Sequence, residues 1–339
     1  MMGIYEDLKD VMINELDFED IVGLDNTKSQ LRSAFVSGHH IILVGPPGVG
    51  KTTLSLNIAK KLPEIEVYDC PYNCSVDNPK CEICKAGSSK RIKIKGEQRF
   101  VRIQGSPDLS AEDLIGDIDP KKALEFGPLS IKAFTPGKIF KANNKVLFFD
   151  EINRCPQKLQ NALLQALSEK KATIGSYDVD IDSDFIFIGT MNPDDSSTEN
   201  LSDVFLDRFD VIETGYPETL EQEIKITKKS GISEADFNDE LLVGVIGFIR
   251  SLRGNKNLEK KPSVRASIAL YNRSQSNALI SGRKDVSFLD VYNAIVSVLS
   301  HRIKLKPSVE FNTKTSDFLR NEFEEYSHKK GLKDTGGEG

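Results

Sequence analysis

An apolar run that leads directly into a glycine-rich turn constrains the fold of this chain more than any other feature. Residues 41–44 are continuously apolar, and residues 45–52 read Gly-Pro-Pro-Gly-Val-Gly-Lys-Thr. This fits G-x-x-x-x-G-K-[ST], whose glycines turn backbone N–H groups towards phosphates while a following helix adds its positive end. Residues 52–62 have helical apolar spacing and stop at Pro63. The flanking strand and helix therefore favour a phosphate-binding loop over a turn that binds nothing.

The predicted loop supplies groups for a nucleotide triphosphate and its metal. We expect Lys51 to reach the β- and γ-phosphates and the Thr52 hydroxyl to ligate magnesium. The residues expected to contact ATP in this segment are Gly45, Pro46, Pro47, Gly48, Val49, Gly50, Lys51, Thr52 and Thr53.

Two further apolar runs end in polar side chains that suit the same chemistry. Residues 146–149 precede Asp150 and Glu151, and residues 185–189 are followed by Asn192. Asp150 can hold magnesium through its water shell, Glu151 can polarise the attacking water, and Asn192 could orient that water. The alternatives are a solvated acidic turn and, for an asparagine before proline, a common turn former.

Apolar runs alternate with helical patterns up to about residue 215, which indicates a parallel α/β sheet. Further strands are predicted at 100–104 and near Val211–Ile212, and helices at 25–34 and 156–168. From residue 217 to 306 the apolar spacing is helical throughout, which indicates a second, all-helical domain.

Four of the five cysteines lie close together in the sequence. They are Cys70, Cys74, Cys81 and Cys84. Zinc held by four thiolates suits this composition, and a loop so small and polar would need a metal to fold it. Four protein ligands leave no open position, so such a zinc would be structural. The alternatives are free thiols in a surface loop or an iron–sulfur cluster, and Cys155 is expected to be simply buried.

The charge and hydropathy patterns limit which partners the protein can bind and where in the cell we expect it. A net charge of −6 argues against a general nucleic-acid binder. Seven basic residues between Lys85 and Arg102 could contact nucleic acid or an acidic partner, although such a run is more often the solvated face of a hairpin. The apolar runs are too short to span a bilayer and the N-terminus does not resemble a signal peptide, so we expect a cytoplasmic protein without membrane insertion.

Several longer segments resemble one protein family. Residues 148–174, FFDEINRCPQKLQNALLQALSEKKATI, resemble the extended Walker B signature of MoxR proteins. Residues 102–119 and 136–143 resemble the helix-2 insert of that clade, and residues 61–74 are closer to the chelatase side. Over residues 18–305 the chain resembles the AAA+ ATPases, in the branch of the MoxR proteins and the magnesium-chelatase AAA subunit. The motifs do not separate these two subfamilies.

This resemblance implies a P-loop αβα sandwich with a parallel sheet, followed by a helical lid. It also implies a homo-oligomeric ring or spiral, expected to be hexameric, with ATP between neighbours. Asn192 then matches the sensor 1 residue, Arg208 the arginine finger given to the next subunit's γ-phosphate, and Arg265 the sensor 2 arginine. Arg154 is either a second arginine acting on the neighbour or a structural residue. The alternative for each arginine is a surface ion pair.

The motifs also suggest domain boundaries. We expect an acidic N-terminal segment at 1–20, a core at 21–216, a helical lid at 217–328 and a flexible tail at 329–339. The core would carry a cysteine-rich insert at 70–84 and a helix-2 insert at about 105–143. Phe18 and Ile21 are the first expected core anchors.

Three functions are compatible with these features. The first is an ATPase that remodels a protein partner, for which the resemblance implies a partner with a von Willebrand factor A domain. The alternative is a nucleic-acid-directed motor, because the helix-2 insert also occurs in replicative helicases and this insert is rich in lysine. Its lysines are Lys121, Lys122, Lys132, Lys138 and Lys141. The third is a scaffold that binds nucleotide without hydrolysing it, against which the intact Glu151 argues.

Overall fold

The three continuous apolar runs found in the sequence form strands at His40–Val44, Val146–Asp150 and Ile186–Met191. The computed structural model describes residues 3–14, 18, 20–128, 130–169, 171–174, 179–193 and 201–332. The strands are β1 (His40–Val44), β2 (Ile65–Tyr68), β3 (Arg91–Ile94), β4 (Phe100–Gln104), β5 (Gly116–Ile118), β6 (Phe134–Pro136), β7 (Val146–Asp150), β8 (Lys171–Ile174), β9 (Val179–Asp182), β10 (Ile186–Met191), β11 (Phe209–Glu213), β12 (Leu258–Lys260) and β13 (Lys304–Leu305).

Helices lie between these strands and form most of the described chain after residue 215. They are α1 (Ile4–Asn14), α2 (Asp25–Val36), α3 (Lys51–Lys61), α4 (Glu82–Lys85), α5 (Ala111–Leu114), α6 (Pro120–Phe126), α7 (Lys138–Lys141), α8 (Gln157–Glu169), α9 (Asp203–Leu206), α10 (Leu220–Ser230), α11 (Asp239–Gly254), α12 (Val264–Ile280), α13 (Phe288–Leu299), α14 (Pro307–Glu310) and α15 (Thr315–Lys330). Among the described residues, none of these helices is both long and apolar enough to cross a bilayer.

The chain divides into two compact units, residues 1–45 with 50–214, and residues 46–49 with 215–339. The first unit contains a parallel sheet in the order β11-β1-β10-β7-β4. Because all five strands run the same way, the residues that follow β1, β7 and β10 meet at one edge of the sheet. The predicted parallel sheet is confirmed.

Alternation along the strands gives this sheet two apolar faces, each covered by helices. Ile41, Leu43 and Phe148 pack in one core with residues of α1, α2 and α3. Ile42 and Phe149 pack on the opposite face in another core, with residues of α5, α7, α8 and α9. The result is the three-layered αβα arrangement expected from the resemblance.

The N-terminal segment contributes more to the core than its acidic composition suggests. Ile4, Leu8 and Met12, spaced four apart on α1, are almost completely buried. Phe18 and Ile21 also pack in this core, as expected, but the expectation that they are its first residues was wrong. Three apolar positions at this spacing suffice for burial among acidic neighbours, because only one stripe of a helix faces the core.

Three hairpins extend from the first unit. β2 pairs with β3, β5 with β6, and β8 with β9, all antiparallel. The cysteine-rich segment lies between β2 and β3, and α6 lies between β5 and β6.

The second unit is built from helices α10 to α15, as the periodicity predicts. Ser287 N donates to Asp290 Oδ2 over 2.8 Å, which closes a capping box at the start of α13. The unit also contains a short antiparallel pair, β12 with β13, which an all-helical prediction did not include. These strands are two and three residues long, too short for alternation to reveal them.

Candidate active site

The backbone conformation of the glycine-rich loop favours glycine at three of its positions. Gly48 and Gly50 have φ of 75° and 99°, values that favour glycine. A Cβ at Gly45 would lie 2.0 Å from the carbonyl oxygen of Thr214, so a side chain cannot fit there. Lys51 opens α3, and its Nζ donates to Gly45 O over 2.6 Å. The loop between β1 and α3 therefore has the strand–loop–helix context predicted for phosphate binding.

Asp150 and Glu151 stand where β7 ends, at the same sheet edge as the loop. Asp150 Oδ1 accepts a hydrogen bond from Thr190 Oγ1 over 2.7 Å. The same Thr190 oxygen accepts from the backbone N–H of Glu151 over 2.9 Å. Glu151 has φ of 54°. Thr190, on the neighbouring strand β10, thus holds both residues in place.

Cationic and amide groups of the edge strand complete this carboxylate cluster. Arg102 Nη2 donates to Asp150 Oδ2 over 2.6 Å. Gln104 Nε2 donates to Glu151 Oε2 over 3.0 Å, and Arg154 Nη1 lies 3.0 Å from the same oxygen. Sequence reasoning missed Arg102, Gln104 and Thr190. No signal within one segment could have found them, since Gln104 comes to lie opposite Asp150 only when β4 pairs with β7.

Asn192 lies one residue beyond β10, beside the carboxylate edge. Its backbone oxygen accepts from Asn153 Nδ2 over 3.2 Å. Asn153 is buried and belongs to the turn that follows Glu151. The structure therefore ties the segment carrying Asn192 to the segment carrying Glu151.

The predicted arginines occupy different surroundings. Arg208 follows α9, and its side chain is 39% exposed. Its Nε donates to Ser168 Oγ over 3.2 Å and its Nη1 to Val204 O over 3.1 Å. The same Nη1 lies 3.9 Å from Asp207 Oδ2, an exposed ion pair of the kind named as the alternative for this residue. Arg265 lies in the first turn of α12 in the second unit and is exposed. The structure places Arg154, but not Arg208, against Glu151 of its own chain.

The four clustered cysteines converge, although ten or more residues separate the first from the last two. Their Sγ atoms all lie within 4.8 Å of one another. Tetrahedral zinc with bonds of about 2.3 Å would need sulfurs roughly 3.8 Å apart, so small shifts would complete the coordination. Cys74, Cys81 and Cys84 are buried, and Cys70 is half-buried. The donor set fits a four-sulfur metal site.

Thiol hydrogen bonding favours a thiolate at Cys70, because the bond from the Cys74 thiol lowers the pKa of Cys70 and raises that of Cys74. Cys74 Sγ accepts from the backbone N–H groups of Lys80 and Cys81, each over 3.4 Å. The hydrogen bond with the Cys74 thiol lowers the pKa of Cys70 to about 5, although burial opposes this. Burial raises the pKa of Cys84 to about 12. Cys155 is fully buried elsewhere in the core, as expected.

The basic run after the cysteines is largely used within the chain. Arg91 and Lys93 lie on β3 and pair with Glu66 and Glu64 across the hairpin. Arg99 is fully buried, and its Nη2 donates to Asp7 Oδ2 of α1 over 2.8 Å. Arg91 and Lys93 thus lie on the solvated face of a hairpin, which was the alternative to a nucleic-acid contact. Arg99 is a core residue.

Comparisons with known families match most of the chain. The family described as ATPase family associated with various cellular activities matches residues 80–211. The AAA lid domain matches residues 260–321, and magnesium chelatase, subunit ChlI, matches residues 17–82.

Individual relatives agree with these matches. A magnesium-chelatase subunit ChlI homolog of Methanocaldococcus jannaschii is 28% identical, with 92% of each chain covered. The chloroplastic ChlI subunit of Glycine max is 27% identical over 86% of this chain and 75% of its own. A structure of the complex between subunits BchI and BchD of magnesium chelatase matches with a TM-score of 0.49 and 22% identity, over 87% of this chain and 98% of that one.

Proposed function

Because this chain belongs to the AAA+ ATPases, in the branch of the MoxR proteins and the magnesium-chelatase AAA subunit, we propose that it hydrolyses ATP to ADP and phosphate in order to remodel or activate a protein partner. The observation that carries this proposal is the shared sheet edge. At this edge the glycine-rich loop follows β1, while Asp150 ends β7 and Glu151 comes directly after it. Thr190 of β10, the strand between them, is hydrogen-bonded to both acidic residues.

The glycine-rich loop binds the nucleotide in this proposal. Backbone N–H groups of residues 48–53, which follow the two prolines, would surround the phosphates. Lys51 would exchange its bond to Gly45 O for the β- and γ-phosphate oxygens. Thr52 and Asp150 would hold magnesium, since a hydroxyl and a carboxylate are the hard oxygen ligands that this ion prefers. When bound, magnesium neutralises charge that develops on the phosphate oxygens.

Hydrolysis then depends on one activated water. Glu151 accepts a proton from the water as it attacks the γ-phosphate, and Asn192 orients that water. Gln104 and Arg154 fix the carboxylate that performs this step, because both contact Glu151 Oε2. Arg208 of one subunit and Arg265 of the other stabilise negative charge on the γ-phosphate in an assembled ring.

The assembly is proposed to be a homo-oligomeric ring or spiral, hexameric in the simplest case. The matched relatives include chelatase subunits, and one matched structure is a complex between two chelatase subunits, BchI and BchD. By analogy, the partner of this chain is a protein, for which a von Willebrand factor A domain is the first candidate. The nucleic-acid motor has no comparable support, and two cations of its basic run pair across the β2–β3 hairpin.

Two experiments test this proposal in order. ATP turnover by the purified chain is measured as phosphate release, and its absence under all magnesium and protein concentrations would contradict the ATPase. A tagged protein with Glu151→Gln, loaded with ATP, is then used to capture its partner, with the Lys51→Ala protein as the matched control that cannot load. A partner retained only by the ATP-loaded protein supports remodelling, and equal capture by both proteins contradicts it.

Lys51→Ala should abolish tight ATP binding. The change removes the positive charge that compensates the β- and γ-phosphates, while the short bond from Lys51 Nζ to Gly45 O shows that the lysine already points back into the loop. Calorimetric titration with a non-hydrolysable ATP analogue measures the loss, and Lys61→Ala at the far end of the same helix is the control. An unchanged affinity in the Lys51→Ala protein would remove this lysine from the site.

We also propose one structural zinc ion on the four clustered cysteines. Elemental analysis of protein purified without added metal should find about one zinc per chain. A strong chelator should release it and increase proteolysis within residues 70–84, because the metal would hold this loop. Cys84→Ser should lose the metal, and Cys155→Ser, at a buried cysteine outside the cluster, should keep it. Iron, or protein without metal, would contradict zinc.

A further inference from the structure

A fully buried glutamate joins three helices of the second unit. Glu223 of α10 has no exposed side-chain surface. Arg253 of α11 forms a bidentate ion pair with it. Arg253 Nη2 donates to Glu223 Oε1 over 2.6 Å, and Arg253 Nη1 donates to Glu223 Oε2 over 2.7 Å. Arg250, one turn earlier on α11, contributes a third bond, Nη1 to Oε2 over 3.2 Å. The carboxylate is therefore compensated by two guanidinium groups from a single helix.

The same carboxylate reaches the beginning of α12. Ser267 Oγ donates to Glu223 Oε1 over 2.5 Å. Arg253 Nε donates to the carbonyl oxygen of Pro262, two residues before α12 begins. Both the approach to α12 and its first turns thus depend on one ionic centre, which consists of Glu223, Arg250, Arg253 and Ser267.

The ionic centre also holds the segment that enters the second unit. Arg250 donates to the carbonyl oxygens of Pro217 and Glu218, each over 2.8 Å. The guanidinium of Arg253 lies 4.4 Å from the ring centroid of Tyr216. Arg250 and Arg253 therefore contact residues 216–218, and Arg253 also bonds to Pro262, two residues before the start of α12.

Stability alone does not explain this arrangement. Burial favours the neutral acid, but the hydrogen bonds and charges of Arg253, with Ser267 and Arg250, hold the pKa of Glu223 below its usual range. A buried ion network is seldom more stable than apolar residues of the same size, because the charges lose their hydration. Its bonds are directional, so they constrain the relative placement of the groups that they join.

The group placed in this way is Arg265. It lies in the first turn of α12, two residues before Ser267. Within the same unit, a Cβ at Gly48 of the glycine-rich loop would lie 3.1 Å from Arg265 Cγ and 2.9 Å from Ser263 Oγ. The first turn of α12 is thus in direct contact with the loop backbone, and a small displacement of this turn would move the Arg265 stem.

We propose that Glu223 is a positioning residue for nucleotide turnover: it fixes the first turn of α12 through Ser267 and Arg253, and so sets where Arg265 stands against the glycine-rich loop. This inference rests on the proposed ATP hydrolysis and adds to it a residue that does not touch nucleotide. The effect of losing Glu223 should accordingly be transmitted through Arg265.

A double-mutant cycle tests the coupling. Wild type, Glu223→Gln, Arg265→Ala and the double variant are compared for kcat and KM of ATP hydrolysis and, by calorimetry, for ADP affinity. Glu223→Gln should reduce both kcat/KM and ADP affinity by about tenfold in the wild-type background but less than about twofold when Arg265 is already absent, since residues acting through one another are not additive. Equal losses in both backgrounds would overturn the inference.

Matched variants separate positioning from folding. Ser267→Ala keeps the arginine pairs of Glu223 but cuts its bond to α12, so it should show the same coupling even if Glu223→Gln folds poorly. Asp290→Asn is the control, because Asp290 is also a buried carboxylate with arginine and serine partners in this unit. It should lower the melting temperature without changing ADP affinity, and an equal loss of affinity there would contradict a specific role for Glu223. If wild type releases no phosphate, the ATPase proposal fails, while the ADP-affinity cycle still decides the coupling.

Discussion

Replacing Glu151 by glutamine is expected to leave ATP binding intact and to slow hydrolysis by about 10²–10⁴-fold, the usual contribution of a general base. The amide has nearly the same shape as the carboxylate and can still contact Gln104 and Arg154, but it cannot accept a proton from water. The binding step does not need that proton acceptor, because it depends on the loop and on Lys51. Affinity and turnover should therefore separate in this variant.

Phosphate release and calorimetric titration, measured on the same preparation, check this separation. Glu66→Gln is the matched control, since Glu66 lies on the β2–β3 hairpin and pairs only loosely with Arg91, over 3.9 Å. That variant should hydrolyse ATP at the wild-type rate. Wild-type phosphate release by the Glu151→Gln protein would exclude Glu151 as the base.

Removing the guanidinium of Arg208 is expected to spare nucleotide binding and to lower hydrolysis by about 10³–10⁵-fold if Arg208 acts on the neighbouring subunit, the range seen for arginine fingers. Within its own chain, Arg208 contacts Ser168 and the carbonyl of Val204, and its side chain stays partly exposed. Its Nη1 also lies 3.9 Å from Asp207 Oδ2, and within the described part of the chain it bonds to neither Asp150 nor Glu151. Wild-type turnover per subunit should also rise with protein concentration as the assembly forms.

Mixing two inactive proteins tests this inter-subunit role directly. The Arg208→Ala protein keeps its glycine-rich loop, and the Lys51→Ala protein keeps its finger, so some interfaces of a mixed assembly contain both intact parts. Activity of the mixture should exceed that of either protein alone. Arg91→Ala, an exposed arginine on the hairpin, is the control that should be active without mixing. If mixed assemblies form and no activity returns, Arg208 is not a finger.

The local sequence was enough to determine the elements that form the candidate site. An apolar run, glycines at positions of positive φ and a helix beginning at Lys51 follow each other without interruption, so neighbouring residues alone specify the loop. Asp150 and Glu151 are equally local, since they directly follow an apolar strand. The helical periods of the second unit were also readable, because burial repeats every three to four residues along one helix.

Tertiary structure alone decided which side chains surround those elements. Arg102 was read as part of a basic run, yet it pairs with Asp150, because β4 takes the place beside β7 in the sheet. Thr190 bonds to both Asp150 and the backbone of Glu151 because β10 lies between β1 and β7. Strand order and register are set by packing between segments far apart in sequence, and periodicity within one segment carries no information about them.

The ionic centre of the second unit could not be predicted for the same reason, because it forms between side chains of three different helices. Glu223 lies in a helix that also contains Glu221 and several lysines, and composition gives no reason to single it out from Glu221. Its pKa is lowered inside the protein because Arg253, Arg250 and Ser267 converge on it from two other helices. The sequence determined that these three helices form, whereas their packing decided which charge is buried and which residues neutralise it.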